Sequence, residues 1–268
     1  DLQQRRGNKR SAWAIGARGP TRTHLSRLPP VDPVATSFAL MELTRHGDVF
    51  VLRMDNGENR FNPTSVGEIE TALDEIMSTR VDNESPCALV TTGTGKFFSN
   101  GIDLDWMLGG DVDDPMAFIG DMSRMWARVM SLPIPTVAAV NGHAFAGGAM
   151  FSLAHDHVLM RADRGYWSVN EVLLRMRLTP GMQAILSGRL TLPTARRAIL
   201  TAHRFAGPAA LEAGIADALH DEEALLPRAI ELAQSLAPTA HPILGVLKED
   251  LHASVLPLLR SGEGPAAF

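Results

Sequence analysis

Residues 135–156, PTVAAVNGHAFAGGAMFSLAHD, narrow the choice of fold more than any other part of the chain. Thr136, Val137, Ala138, Ala139 and Val140 form an apolar, partly β-branched run, long enough for one buried strand and too short for a helix. Asn141, Gly142 and His143 break the run with turn chemistry. After Ala146, Gly147 and Gly148, the residues Ala149, Met150, Leu153 and Ala154 carry helical spacing. Glycines where a loop enters a helix permit close backbone approach, and the first N–H groups of that helix have no intrahelical partner. Such a terminus suits an anion, because the free N–H donors and the helix dipole both favour negative charge. Tight packing of the helix on its neighbours would explain the same glycines.

A chain of 268 residues, 45% hydrophobic, can bury the core that such a strand–turn–helix unit needs, as one domain with or without an appendage. The single Cys87 excludes an internal disulfide and fits a reducing compartment, and its apolar neighbours Ala88, Leu89 and Val90 make it a buried small hydrophobe rather than a nucleophile. No uninterrupted apolar segment approaches the roughly 18–20 residues that span a bilayer. The net charge of −5 is uneven: residues 1–40 hold seven Arg and Lys against two Asp. This basic head lacks the aromatic platform of a nucleic-acid arm and the apolar run of a signal peptide, so it reads as a flexible leader preceding Met41. The C-terminal Pro265, Ala266, Ala267 and Phe268 carry no peroxisomal signal, and the expected compartment is the cytoplasm.

Along the chain, residues 42–45 and 49–54 alternate as two strands joined at His46, Gly47 and Asp48. Thr64 is the expected N-cap of a helix whose core stripe is Val66, Ile69, Leu73, Ile76 and Met77. Residues 87–92 predict a buried strand, 115–130 a helix stopped by Pro133 and Pro135, and 157–161 a further strand. Gly95 and Lys96 do not complete a phosphate-binding loop, because Val90 and Phe97 stand where that motif needs Gly and Ser or Thr. His155 and His157 have no nearby further ligands, so no metal is expected. Beyond Pro180 short helices follow at 182–190, 194–201 and 208–213, then longer ones at 222–236 and 241–259. Leu244, Leu247, Leu251 and Val255 would form a docking stripe on the last. These signals divide an α/β chain into a leader at 1–37, a core at 38–205 and a helical region at 206–268.

A second motif lies upstream: Phe97, Phe98, Ser99, Asn100, Gly101, Ile102 and Asp103. Together with NGHAFAGG it resembles the paired signature of the enoyl-CoA hydratase/isomerase, or crotonase, family. The resemblance implies a spiral of ββα units and a C-terminal helical trimerisation region, assembled as a homotrimer or hexamer. It also implies that the N–H groups of Ile102 and Gly147 hold a thioester oxygen. Asn100, Gly101, Asp103 and Gly148 would belong to the substrate-binding site, with Asp103 also fixing its loop, Met150 would be a core or acyl-pocket residue, and Arg60, Lys96 or Lys248 would meet the phosphates of coenzyme A, which is part of the substrate and not a separate cofactor.

In that family carboxylates occupy two positions. One lies three residues beyond the oxyanion glycine, and here it is Met150, which transfers no proton. The other is Glu171, in the context Val169, Asn170, Glu171, Val172, Leu173. Hydration of a 2-enoyl thioester divides its work between two carboxylates, whereas moving a double bond from C3 to C2 needs one base. The pairing of Glu171 with Met150 therefore predicts a Δ3,Δ2-enoyl-CoA isomerase, with Glu171 raised in pKa by an apolar setting. Arg175 and Arg177 stand where the family carries Gly and an apolar loop, and they would lower that pKa, narrow the acyl pocket or face solvent. A hydratase or other acyl-CoA lyase or hydrolase is the alternative, with Asp105 or Asp121 as replacement acid. A non-catalytic acyl-CoA-binding protein is the other.

Overall fold

The structure is a computed structural model that describes residues 36–80, 85–109 and 114–265. Most of the basic leader lies outside the described residues; its last two, Thr36–Ser37 (β1), pair with β2. In chain order there follow Met41–His46 (β2), Val49–Met54 (β3), Pro63–Ser78 (α1), Ala88–Gly93 (β4), Phe97–Ser99 (β5), Leu104–Leu108 (α2) and Pro115–Ser131 (α3). Next are Thr136–Val140 (β6), His143–Phe145 (β7), Gly147–Leu153 (α4), His157–Arg161 (β8), Trp167–Ser168 (β9) and Glu171–Leu174 (α5). Pro180–Arg189 (α6), Leu192–Thr201 (α7), Gly207–Glu212 (α8), Ala218–His220 (β10), Glu222–Leu236 (α9), Pro242–Leu251 (α10) and Leu256–Ser261 (α11) complete the chain.

The strands form two sheets. One has seven strands in the order β1-β2-β3-β4-β6-β8-β10, and the other is β5-β7-β9. From β4 onward the chain lays one strand in the large sheet, one in the small sheet, then a helical segment, and steps one place sideways in both. That is the spiral of ββα turns the resemblance implies. All the crossovers that build it are parallel, from β3–β4 through β6–β8 and from β5–β7 to β7–β9. Parallel strands are covered on both faces, which explains why β6 is an unbroken apolar run with every residue buried. Val137 and Ala139 meet Leu225, Ala229 and Ile230 of α9, while Ala138 and Val140 face the main core with Phe98 and Trp126.

Two expected helix boundaries change. The cap of α1 is Asn62, whose side chain accepts from the Ser65 N–H at 3.0 Å while Ser65 Oγ accepts from the Asn62 N–H. Pro63 can sit in the first turn because its missing N–H would be unpaired there anyway. The expected helix at 241–259 is broken into α10 and α11 around His252, since Pro257 cannot donate to a continuing helix and disfavours helical geometry before it. The docking stripe breaks with it: Leu251 is 74% exposed while Val255 is buried. Among the described residues no helix is long and apolar enough to cross a membrane.

Lys248 is not available to a phosphate. It is buried on α10, where Nζ donates to Asp156 Oδ2 at 2.6 Å and to the Ile134 carbonyl at 2.8 Å. Asp156 also accepts from the Thr136 N–H at 2.7 Å, so the pair clasps α10 to the start of β6. Burial, with a smaller push from Arg189, lowers the Lys248 pKa, and Asp156 opposes that shift. Lys248→Met should cost about 3 kcal/mol, read as a lower urea midpoint, because it strands the Asp156 carboxylate.

Candidate active site

The two signature loops meet. Gly101 has φ +80°, and a Cβ there would lie 2.9 Å from Ala146 Cβ and 3.0 Å from the Gly147 nitrogen. A Cβ on Gly148 would lie 2.3 Å from the Ser99 carbonyl oxygen. Side chains at these positions would force the loops apart, which is the close-approach reading of the glycines. Ile102 bridges Phe61 in a parallel pair, in which the Phe61 N–H donates to Gly101 O at 2.7 Å and the Asp103 N–H donates to Phe61 O at 2.9 Å. That pairing consumes the groups flanking Ile102 and turns its own N–H the other way. Across the gap Ala146 is held at φ 49°, ψ −120°, an unfavourable conformation for a residue with a side chain, and its N–H donates to Ser168 O at 2.9 Å. Gly147 then opens α4. Among the described residues neither the Ile102 nor the Gly147 N–H has a backbone acceptor. With seven residues, α4 contributes these local donors rather than a long dipole.

Ile102, Gly147 and Glu171 line one cavity of about 440 Å³, with Leu104, Ile119, Met176 and Met182 among its apolar walls. Glu171 is the first residue of α5 and only 8% exposed, and its Oε2 is buried without a hydrogen-bond partner. Burial raises its pKa from 4.5 to about 7, against a smaller pull from the backbone N–H groups of Glu171 and Asn170. Among the described residues no arginine contributes to that shift. Arg175 is exposed and ends α5 in the left-handed region, whereas Arg177 lines the cavity. Sequence reasoning passed over Asn170 as a site residue: its Oδ1 is a second buried acceptor without a partner in the same cavity, and its only signal was adjacency to Glu171.

The other expected residues divide. Asn100 and Arg60 line the cavity and share Glu58: Asn100 Nδ2 donates to it at 2.8 Å and Arg60 Nε at 2.7 Å. Arg60 also bonds Asp105 at 2.7 Å and lies 3.5 Å from Asp103, so three carboxylates already surround the guanidinium expected at a phosphate. Asp103 caps α2 by accepting from the Trp106 N–H. Gly101, Asp103 and Gly148 thus build the loops without lining the cavity. Met150 is fully buried in the core, one of its two expected places, and does not line the cavity. Lys96 is exposed and rests over the Phe97 ring.

Of the replacement acids, Asp105 lines the cavity but is 89% exposed and bound to Arg60, while Asp121 pairs with Arg124 elsewhere. His155 is a core residue: one ring nitrogen contacts Phe151 O at 3.0 Å and the other Thr91 Oγ1 at 2.9 Å, and burial lowers its pKa to about 4. Among the described residues no cluster of His, Cys, Asp and Glu could hold a metal. Cys87 is buried with its thiol pKa raised to about 11.

The sequence profile described as Enoyl-CoA hydratase/isomerase matches residues 44–261. The chain is 35% identical to enoyl-CoA delta isomerase 3 of Arabidopsis thaliana over 73% of this chain and 84% of that protein. It is 30% identical to a carnitinyl-CoA dehydratase of Citrobacter koseri, covering 80% of each. Among solved structures, the ligand-free enoyl-CoA isomerase of Mycobacterium tuberculosis superposes with a TM-score of 0.75 at 28% identity, over 83% of this chain and 95% of that one. The chain belongs to the enoyl-CoA hydratase/isomerase family.

Proposed function

We propose that this protein moves the double bond of 3-enoyl-CoA thioesters to the 2-trans position, with Glu171 as the only proton carrier. The observation that carries this reading is one buried carboxyl, unpaired at Oε2 and with a pKa of about 7, in a cavity shared with Ile102 and Gly147. Ionised Glu171 takes a proton from C2. The bonding electrons pass into the C1–C2 bond and negative charge collects on the thioester oxygen, where the Ile102 and Gly147 N–H groups receive it. The dienolate then accepts the same proton at C4, leaving the double bond between C2 and C3 and Glu171 ionised again. A pKa near neutrality suits a group that must both take and return a proton. The reaction needs nothing beyond the coenzyme A carried by the substrate. A homotrimer or hexamer in a reducing compartment such as the cytoplasm completes the proposal.

The hydratase reading rests on Asp105, the other carboxyl among the described residues that line the cavity. The two separate by product: with 3-enoyl-CoA and 2-enoyl-CoA supplied in parallel, the isomerase accumulates conjugated thioester and forms little 3-hydroxyacyl thioester. Dominant 3-hydroxyacyl product would overturn the isomerase, and tight thioester binding with no turnover of either would favour a binding protein.

A further inference from the structure

Asn170 sits at the cap position before α5, where the side-chain oxygen of an asparagine ordinarily accepts from the N–H two or three residues on. It makes no such bond: the Leu173 N–H donates instead to the Asn170 backbone carbonyl at 3.0 Å. The spared Oδ1 is buried and lines the reaction cavity. Among the described residues, the buried side-chain oxygens that lack a hydrogen-bond partner are Asn170 Oδ1 and Glu171 Oε2, on neighbouring residues of that one cavity. Both are acceptors while Glu171 is ionised, so neither can satisfy the other. A single proton on Oε2 changes that, because the O–H can donate to Oδ1. Such a proton appears when Glu171 takes one from C2.

We propose that Asn170 is a positioning residue for the proton shuttle: its Oδ1 accepts the hydrogen bond of the proton that Glu171 Oε2 carries from C2 to C4. The inference rests on Glu171 as the proton carrier and adds the group that holds the carried proton. The backbone N–H groups of Asn170 and Glu171 act on the same carboxylate, and because Oε2 has no partner they fall to Oε1. Oε2 is thereby left as the oxygen that gains the proton. In the step, the C2–H bond breaks as the Oε2–H bond forms. That bond then breaks as the C4–H bond forms, and Asn170 itself neither gains nor loses a proton. While the dienolate exists, an amide oxygen is a partner through which the carried proton does not exchange, whereas water is one through which it does. Arg60, Asp105 and Arg177 also line the cavity, and Arg196 and Arg197 belong to α7, which packs on α5. Among the described residues none of these charges contributes to the raised pKa of Glu171.

The test uses the full chain and 3-hexenoyl-CoA carrying deuterium at both C2 positions, with label at C4 of the product read by mass spectrometry. Asn170→Leu keeps the bulk and removes the acceptor, whereas Asn170→Asp keeps an acceptor and adds a like charge. The unaltered protein should carry label to C4. Asn170→Leu should lose at least half of that transfer to solvent and lower kcat about fivefold, the weight of one neutral hydrogen bond, with KM within about twofold. Its Tm should equal or exceed that of the unaltered protein, because a buried acceptor without a partner has been removed. Asn170→Asp should keep the transfer while the acid limb of kcat/KM moves up by about one pH unit or more. Undiminished transfer and kcat in Asn170→Leu, or an acid limb that stays put in Asn170→Asp, would overturn the proposal. So would loss of activity and Tm together in Asn170→Leu, since the residue would then be structural. Failure of the glutamate reading looks different: Glu171→Gln would still convert 3-enoyl thioesters.

Discussion

Glu171→Gln is expected to lower kcat for 3-enoyl-CoA isomerisation by roughly 10³-fold or more, the upper range for loss of a general base, with little change in substrate affinity. The same substitution should stabilise the fold at alkaline pH. Burial raises the Glu171 pKa from 4.5 to about 7, so folding favours its protonated form. Below pH 4.5 both folded and unfolded chains carry the proton and the residue costs nothing. As pH rises through the interval the unfolded chain ionises first, and above about pH 7 the full penalty, on the order of 3 kcal/mol, is present. Thermal unfolding should therefore show Glu171→Gln above the unaltered protein at pH 8 and level with it at pH 4.5. A variant that loses activity and Tm together at pH 8 would mark Glu171 as a structural group.

Gly148→Ala should do the reverse and damage stability and turnover together. Its Cβ would sit 2.3 Å from the Ser99 carbonyl oxygen and 2.8 Å from the Ser99 carbonyl carbon, both backbone atoms that cannot swing aside. Relief requires the strand β5 and the start of α4 to separate, at about 3 kcal/mol or more. Since the Ser99 strand runs directly into Gly101 and Ile102, the N–H groups proposed as oxyanion donors, those of Ile102 and Gly147, would move apart. Removal of one oxyanion donor typically costs 10²–10³ in kcat, and the expected loss here is of that size. Gly67→Ala on α1 is the control, because nothing lies within 4 Å of its added Cβ. It should stabilise the protein by roughly 0.5–1 kcal/mol and leave the kinetics unchanged.

What the chain discloses by itself follows the length of its signals. β3 and β6 and the helix α9 coincide with their expected spans because each fills a clear period, β6 as a strand buried on both faces and α9 as a long amphipathic stripe. The small sheet was not readable as a sheet, since β5, β7 and β9 are three, three and two residues long and too short to carry alternation. The cap at Asn62 and the break at Pro257 were both written in local chemistry, a proline just inside a helix start and another inside a supposed helix.

At the candidate site, the motif loops marked which backbone would converge, and the apolar context of Glu171 foretold the direction of its pKa. Side-chain facing was harder. Lys248 was offered for a phosphate from position alone, yet it points onto Asp156, while Met150 lies in the core, one of its two expected places. Arg60 keeps its place at the cavity but already answers to Glu58 and Asp105, a network that joins residues 45 positions apart. Met176 became visible only when folding set it beside Glu171.

The most direct test of a lone glutamate base is the pH dependence of kcat/KM for 3-enoyl-CoA isomerisation by the unaltered protein. Glu171 must be ionised to accept the C2 proton, and its pKa stands near 7. The account predicts one acid limb centred near pH 7, falling tenfold per pH unit below it, with a plateau above. A rate that stays level down to pH 5 would contradict it, because the base would then be a group other than the buried Glu171.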